Sequence, residues 1–250
     1  MKKQAFYEIK RNQPLARDIF LMTLVGPMNF EPRPGQFINI KIDGFYLRRP
    51  ISICSFDEDS MDIIYKIAGN GTDALSKMSP GQKLDVLCGL GNGFDLSLAE
   101  GRRIVLVGGG VGIPPLYGLG KALKAAGAEF TAVLGWQTHD QAFFIDEFSA
   151  ICPTRVVTND GGIGKKGVVT DILREISYDY YFTCGPEPML KAVYDLGGNG
   201  QLSFEARMGC GFGACMGCSR KTLGGGSKRI CMQGPVLRSD EVLFSWINLE

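Results

Sequence analysis

RRIVLVGGGVGIPPL, residues 102–116, runs from two arginines through an aliphatic stretch into a glycine-rich turn and a proline pair. A short, continuous apolar run that closes on glycine reads as a strand buried on both faces. PLYGLGKALKAAG (115–127) follows it with helical character, so the glycines lie at a strand-to-helix join. At such a join, backbone N–H groups can approach a pyrophosphate at the positive end of the helix dipole. The spacing departs from G-x-G-x-x-G because Pro115 stands where the third glycine would be. Proline is well placed in a first helical turn, where its missing N–H costs nothing. A tight turn without a ligand would look the same, so the flanking segments have to decide.

Downstream, the alternation continues. FTAVLGW (130–136), RVVTN (155–159) and DYYFTC (179–184) read as strands, interleaved with AFFIDEF, VVTDILREI and PEPMLKAVYDL to about residue 197. Strands alternating with helices predict a parallel α/β domain. Its YFTCGPEPML segment (181–190) places Cys184 and Gly185 at the carboxyl end of a strand, where loops border a ligand crevice. A buried cysteine before an ordinary turn is the plainer reading. Upstream, AFYEIKR, IFLMTLVG, QFINIKI, RRPISICSF, DIIYKIA and KLDVLCGL are short apolar or alternating runs between turn residues, which predicts an antiparallel β-barrel or sandwich, with a short helix at DALSKM (73–78). The expectation is a multidomain α+β chain: a barrel over 1–98, a nucleotide-binding α/β domain over 99–200 and a small Cys-rich unit over 201–250.

The 250 residues carry 27 basic and 26 acidic side chains, which leaves no electrostatic footprint for a nucleic-acid partner. Neither a signal peptide nor a run of eighteen apolar residues is present, so the expected setting is cytoplasmic, without membrane attachment. In that reducing compartment, thiol clusters are more often metal sites than disulfides. Cys54, Cys88, Cys152 and Cys184 stand singly among apolar residues, where the default is a small buried hydrophobe. Cys210, Cys215, Cys218 and Cys231 instead form C-x4-C-x2-C-x12-C. That is the opening spacing of plant-type [2Fe–2S] ligation, although four thiolates could also make a structural zinc site. The glycines of GCGFGACMGC let the chain wrap closely and direct N–H groups at sulfur. Met208, Phe212 and Met216 either shield that site from water or form a docking rim for an electron-delivering partner.

In the barrel, Arg48 and Arg49 precede a strand, and arginine's fork of donors suits phosphate. Gly71 and Thr72 in GNGT could present N–H and hydroxyl donors, or form only a hairpin turn.

Taken together and in order, RRPISIC, GNGT, GGGVGIPPL, CGPEPML and GCGFGACMGC resemble the ferredoxin–NAD(P) reductase superfamily. Within it they are similar to the electron-transfer subunits of NAD-dependent (class 1B) dihydroorotate dehydrogenases. The resemblance implies that Arg49, Pro50, Ile51 and Ser52 line FAD, with Ile64, Tyr65 and Lys66 beside it and Gly71 and Thr72 at its phosphate end. It implies further that Gly108, Gly109, Gly110, Gly112 and Pro115 hold the NAD phosphates, that Cys184 and Gly185 lie near the nicotinamide, and that the four clustered cysteines ligate [2Fe–2S]. Ile51 stands where many reductases carry a tyrosine. The implied partner is an FMN-containing dihydroorotate dehydrogenase catalytic subunit, in a heterotetramer of two of each, with NAD+/NADH exchanged at this chain in pyrimidine (UMP) biosynthesis. Such a relay mainly requires positioning and tuned potentials, so the chain's one histidine, His139, is read as a loop residue. VLGWQTHD lacks an arginine for a 2′-phosphate, and Asp160 could accept from a ribose hydroxyl, which favours NAD, although Lys165 and Lys166 are nearby. A diaphorase subunit of a hydrogenase or of a ferredoxin:NAD(P) oxidoreductase, and a zinc-stapled adaptor, are the competing readings.

Overall fold

The alternating runs of the first ninety residues close on themselves. The computed structural model describes residues 3–244, and the expected ends at 1–2 and 245–250 lie outside the described residues. Strands β1 (Lys3–Ala16), β2 (Ile19–Val25), β3 (Phe37–Ile40), β4 (Arg49–Phe56), β5 (Ser60–Lys66) and β6 (Lys83–Leu90) form a closed barrel in the order β1-β2-β5-β4-β3-β6. Closure leaves no unpaired edge. In β6 every second residue (Leu84, Val86, Cys88, Leu90) is buried. Tyr7, Ile9, Met22, Ile38, Ile40, Met61, Ile63 and Tyr65 are among the side chains that fill the interior with them. Helix α1 (Asn70–Ser76) begins three residues earlier than DALSKM suggests, so GNGT is a helix start and not a hairpin turn.

The second unit is a sheet in the order β10-β9-β8-β7-β11-β12-β15, built from β7 (Ile104–Gly109), β8 (Phe130–Trp136), β9 (Thr154–Thr158), β10 (Lys165–Lys166), β11 (Tyr180–Cys184), β12 (Asn199–Ser203) and β15 (Val236–Arg238). Its pairs are parallel except β12 with β15. All six residues of β7 are buried, because one apolar cluster covers each face of the sheet. Helices α2 (Ile113–Ala125), α3 (Ile145–Ser149), α4 (Val169–Leu173) and α5 (Glu187–Asp195) supply the crossovers. Strand order reverses between β7 and β11, and such a reversal opens a crevice at the strands' carboxyl ends.

Barrel and sheet share α2. A Cβ added at Gly118 would lie 2.7 Å from the Cys54 carbonyl oxygen of β4, so glycine lets helix and strand backbones touch. The Cys-rich segment forms the hairpin β13 (Ser219–Lys221) with β14 (Ser227–Arg229), then α6 (Ile230–Gln233), and returns through β15 to the main sheet. Strand β12 crosses the boundary expected at residue 200. The poorly apolar tail is thus anchored by a strand as well as by its cysteines. Among the described residues no helix is long and apolar enough to cross a membrane.

Candidate functional site

At the switch point Gly108 of β7 lies in register with Cys184 of β11. The glycine motif and the CGP motif, 76 residues apart by that pairing, therefore meet side by side. After Gly109 the chain makes a short turn over Gly110–Gly112, with Gly110 at φ 51°, and enters α2 with Pro115 buried in its first turn. Gly112 has no room for a side chain: a Cβ there would stand 2.3 Å from the Cys184 carbonyl oxygen and 2.5 Å from the Gly185 nitrogen. At Gly109 it would meet the Met189 sulfur at 2.5 Å. The two loops are interlocked through their main chains. Burial lifts the Cys184 thiol to about 12, against a smaller opposing effect of Ser203, which favours the neutral form of this sulfur.

The paired arginines of the barrel diverge. Arg48 is spent on structure, its guanidinium 2.8 Å from the Asp85 carboxylate and 2.9 Å from the Asp85 carbonyl. Arg49 turns to α1, lies over the Phe45 ring at 4.9 Å and donates to the Leu47 carbonyl. Its guanidinium crowds Gly71, where a Cβ would come within 2.1 Å. Sequence-distant Arg49 and Gly71 are thus brought together, a donor set suited to phosphate. The Thr72 hydroxyl is engaged locally, accepting from Ala68 N–H at 2.9 Å and donating to the Gly69 carbonyl at 3.1 Å. Pro50, Ile51 and Ser52 are half-buried on β4, with Ile51 packed on the barrel core. On β5, the Tyr65 side chain is buried inside the barrel, donates to Asn12 at 2.8 Å and stacks on Phe20, so it is the main chain of Tyr65 that is left to face a ligand. Ile64 points the other way, into the core shared with the α/β unit, and Lys66 is half-buried.

The clustered cysteines form two pairs. The Cys210 sulfur accepts from the N–H groups of Ala214 (3.2 Å) and Cys215 (3.4 Å), and the Cys215 sulfur accepts from Cys210 N–H at 3.5 Å. The Cys218 sulfur accepts from Cys231 N–H at 3.4 Å. Burial opposes ionisation of Cys210, but the N–H groups of Cys215, Phe212 and Ala214 outweigh it and bring the thiol down to about 6. Burial first, then the neighbouring Cys218 and Cys210, push Cys231 up to about 12. An all-thiolate donor set with N–H groups aimed at sulfur has the chemistry of a two-iron cluster, although among the described residues no three ligating side chains stand close enough together to hold a metal ion as they are. Cys215 is exposed, whereas Cys218 and Cys231 are buried in the core on one face of the sheet.

Two residues escaped sequence reasoning. Asn39 of β3 is 1% exposed and donates through Nδ2 to the Cys210 carbonyl at 3.4 Å, while its buried Oδ1 has no hydrogen-bond partner among the described residues. Across the same contact, Gly211, at φ 74°, has no space for a Cβ, which would lie 2.2 Å from Asn39 Nδ2. Arg220, taken up below, is the second. No local pattern marks either one. Asp160, expected to accept from ribose, also accepts within the chain: one oxygen takes Gly162 N–H at 3.0 Å, and the other takes His139 N–H at 3.0 Å and faces the His139 ring at 2.9 Å. These bonds, with the Gly162 amide foremost, hold its carboxyl far below the usual range.

A barrel ahead of a nucleotide-binding α/β domain, with a thiolate-rich unit beside both, defines a ferredoxin reductase-like oxidoreductase with an iron–sulfur unit. Residues 205–243 match the family model for the iron-sulfur cluster binding domain of dihydroorotate dehydrogenase B, which favours a cluster over zinc. The chain is 42% identical over 256 residues to the dihydroorotate dehydrogenase B (NAD+) electron transfer subunit of Geobacillus sp. (strain WCH70), covering 97% of this chain and all of that one. It is 41% identical to the Fusobacterium nucleatum electron transfer subunit, covering 94% and 96%. This chain belongs to the family of dihydroorotate dehydrogenase B (NAD+) electron transfer subunits. Among solved structures, one described as an NADH-dependent reduced ferredoxin-NADP oxidoreductase superposes with a TM-score of 0.85 at 32% identity, covering 96% of this chain and 90% of that one. Phthalate dioxygenase reductase shares the fold at a TM-score of 0.61 and 21% identity, over 77% of this chain and 64% of its own.

Proposed function

We propose that this chain carries electrons, taken from dihydroorotate by a separate FMN-containing catalytic subunit, to NAD+ in UMP biosynthesis, within a heterotetramer of two subunits of each kind. When bound, a [2Fe–2S] cluster exchanges single electrons, nicotinamide takes a hydride, and FAD converts between the two. Cys210, Cys215, Cys218 and Cys231 hold the cluster. Arg49, Pro50, Ile51 and Ser52, with the main chain of β5 at Ile64, Tyr65 and Lys66 beside them, offer FAD a groove whose phosphate end is Arg49 with Gly71 and Thr72. The loop from Gly108 to Pro115 receives the NAD phosphates, and Cys184 with Gly185 borders the nicotinamide. Neutral and buried, Cys184 excludes water there and does not react.

The observation that carries this reading is the convergence on one barrel wall. Cys54 of β4 touches α2, the nucleotide helix, and Asn39 on the neighbouring strand β3 touches Cys210 of the cluster loop. A flavin on β4 would therefore lie between the two other redox sites. Phe212, Met216 and Met232 are exposed in the cysteine segment, which supports a docking rim for the catalytic subunit.

Coexpression tests the reading. The expected result is a brown complex with an FMN-containing dihydroorotate dehydrogenase that forms NADH from dihydroorotate. A protein that copurifies without iron and sulfide, or that leaves dihydroorotate oxidation independent of NAD+, defeats it. The likeness to the NADH-dependent ferredoxin-NADP oxidoreductase supports a second reading, a diaphorase subunit of another complex. In that case a ferredoxin would replace dihydroorotate dehydrogenase as the redox partner.

A further inference from the structure

Arg220 lies in the hairpin between Cys218 and Cys231, and the relay as described leaves it without a role. Its side chain is 17% exposed and its Nη2 stands 2.7 Å from the Glu187 carboxylate. The guanidinium lies 4.1 Å from the Phe204 ring centroid and 5.3 Å from that of Phe244, and Nε is buried with no hydrogen-bond partner among the described residues. Burying a guanidinium nitrogen unsatisfied is costly, and the two ring contacts and the ion pair offset that cost only while all three are held in one geometry.

The partners of Arg220 are not ordinary surface groups. Glu187 opens α5 directly after Cys184-Gly185-Pro186, the loop interlocked with Gly112. Phe204 follows β12, whose Ser203 is in register with Cys184, and its N–H donates to the Pro235 carbonyl at 2.9 Å. One planar cation thus grips the segment leaving β11, whose loop borders the crevice, and the segment leaving its neighbour β12. On its own chain it is two residues from the inner thiol Cys218, whose carbonyl accepts from Ile230 N–H at 3.1 Å to close the hairpin.

We propose that Arg220 is a positioning residue that couples the cluster hairpin to the nicotinamide loop, so that occupancy of the nucleotide crevice tightens residues 219–229 and a loosened hairpin weakens nucleotide binding. The proposal rests on the NAD site described above. Coupling of this kind is reciprocal, because the free energy that one site lends the other is returned in full. Lysine in place of arginine would keep the charge but lose the planar stack on two rings.

The test is amide hydrogen exchange on the full chain with its cofactors, with and without saturating NADH, in the natural protein and in Arg220→Met, Arg220→Lys and Glu187→Gln. The expected result is slower exchange over 219–229 when NADH binds the natural protein, and loss of that protection in Arg220→Met and Glu187→Gln. Arg220→Lys should be intermediate. NADH affinity measured by calorimetry should fall roughly fivefold in Arg220→Met, with iron content and visible spectrum unchanged. Should Arg220→Met lose its cluster, Glu187→Gln decides, since that carboxylate is half-exposed and does not belong to the hairpin. Protection that persists in Glu187→Gln, or is absent from the natural protein while NADH binds, overturns the proposal. No NADH binding at all would instead overturn the NAD site on which it rests.

Discussion

Gly112 shows what one hydrogen atom in place of a side chain accomplishes. Its backbone angles suit any residue, so glycine is required by space alone: the nearest atoms are the main chain of Cys184 and Gly185, which cannot swing aside. Gly112→Ala should therefore push the two crevice loops apart, costing about 1–3 kcal/mol of stability. Thermal unfolding and the KM for NADH with ferricyanide as acceptor check it, and KM should rise by about tenfold while FAD content stays constant. Asn39 makes a complementary case. Its Oδ1 is already buried without a hydrogen-bond partner among the described residues, so Asn39→Leu removes an unsatisfied group along with the bond to Cys210 and should leave stability within about 1 kcal/mol. Asn39→Asp buries a charge in the same place and should cost 3 kcal/mol or more by roughly the penalty of an unpaired buried ion. Denaturant midpoints of the two variants, measured side by side, check that ordering. The cysteines were legible because their spacing is itself chemical information. Asn39 was not, since its meaning depends on a contact 171 residues away.

Elements were legible in proportion to how fully they are buried. The run from Ile104 to Val107 reads as strand because both faces of β7 are covered, and the alternation in β6 reads as strand because one face is. Strand β12, NGQLS, and the three-residue β15 carry too little periodicity to announce themselves, since their place is set by pairing with each other and with β11. The start of α1 is hidden in the sequence because glycine and asparagine signal turns, whereas the Thr72 hydroxyl bonds the main chain ahead of the helix, which takes in Asn70 and Gly71. Helix α2 belongs to barrel and sheet at once, and Gly118 is the point of contact. Gly118→Val puts branched carbon against the Cys54 carbonyl of β4, where only 2.7 Å is available even for Cβ. The expected outcome is a thermal midpoint lowered by about 2–8 °C, from an overpacking cost of 1–3 kcal/mol. If β4 forms the flavin wall, as proposed, FAD should be released earlier on gel filtration than from the natural protein. Retention of flavin together with the lower midpoint would show that β4 tolerates displacement.

Across the whole molecule, the cysteine segment touches the barrel through Asn39 and the α/β unit through Arg220 and β15, so the three units are in direct contact. The general order of barrel, nucleotide domain and cysteine segment could be read from the sequence because each unit has its own residue pattern. Their mutual packing could not, because it is made by single polar and glycine contacts. That sparseness predicts separable functions. Cys215 is the exposed member of the outer pair, and its sulfur accepts from the neighbouring Cys210 amide. Cys215→Ser replaces a soft thiolate by a hydroxyl of much higher pKa and should abolish stable cluster binding. The flavin groove and the Gly112–Cys184 interlock lie in other elements, so FAD content and NADH oxidation by ferricyanide should stay within about twofold of the natural protein. Electron delivery from the catalytic subunit should fall by more than about tenfold. Iron and sulfide analysis, flavin absorbance and the two activities measured on one preparation check all of this. Loss of FAD together with the iron would mean that the Asn39 contact transmits disorder from the cluster loop into the barrel wall, and the redox sites would then be cooperative in assembly as well as adjacent in space.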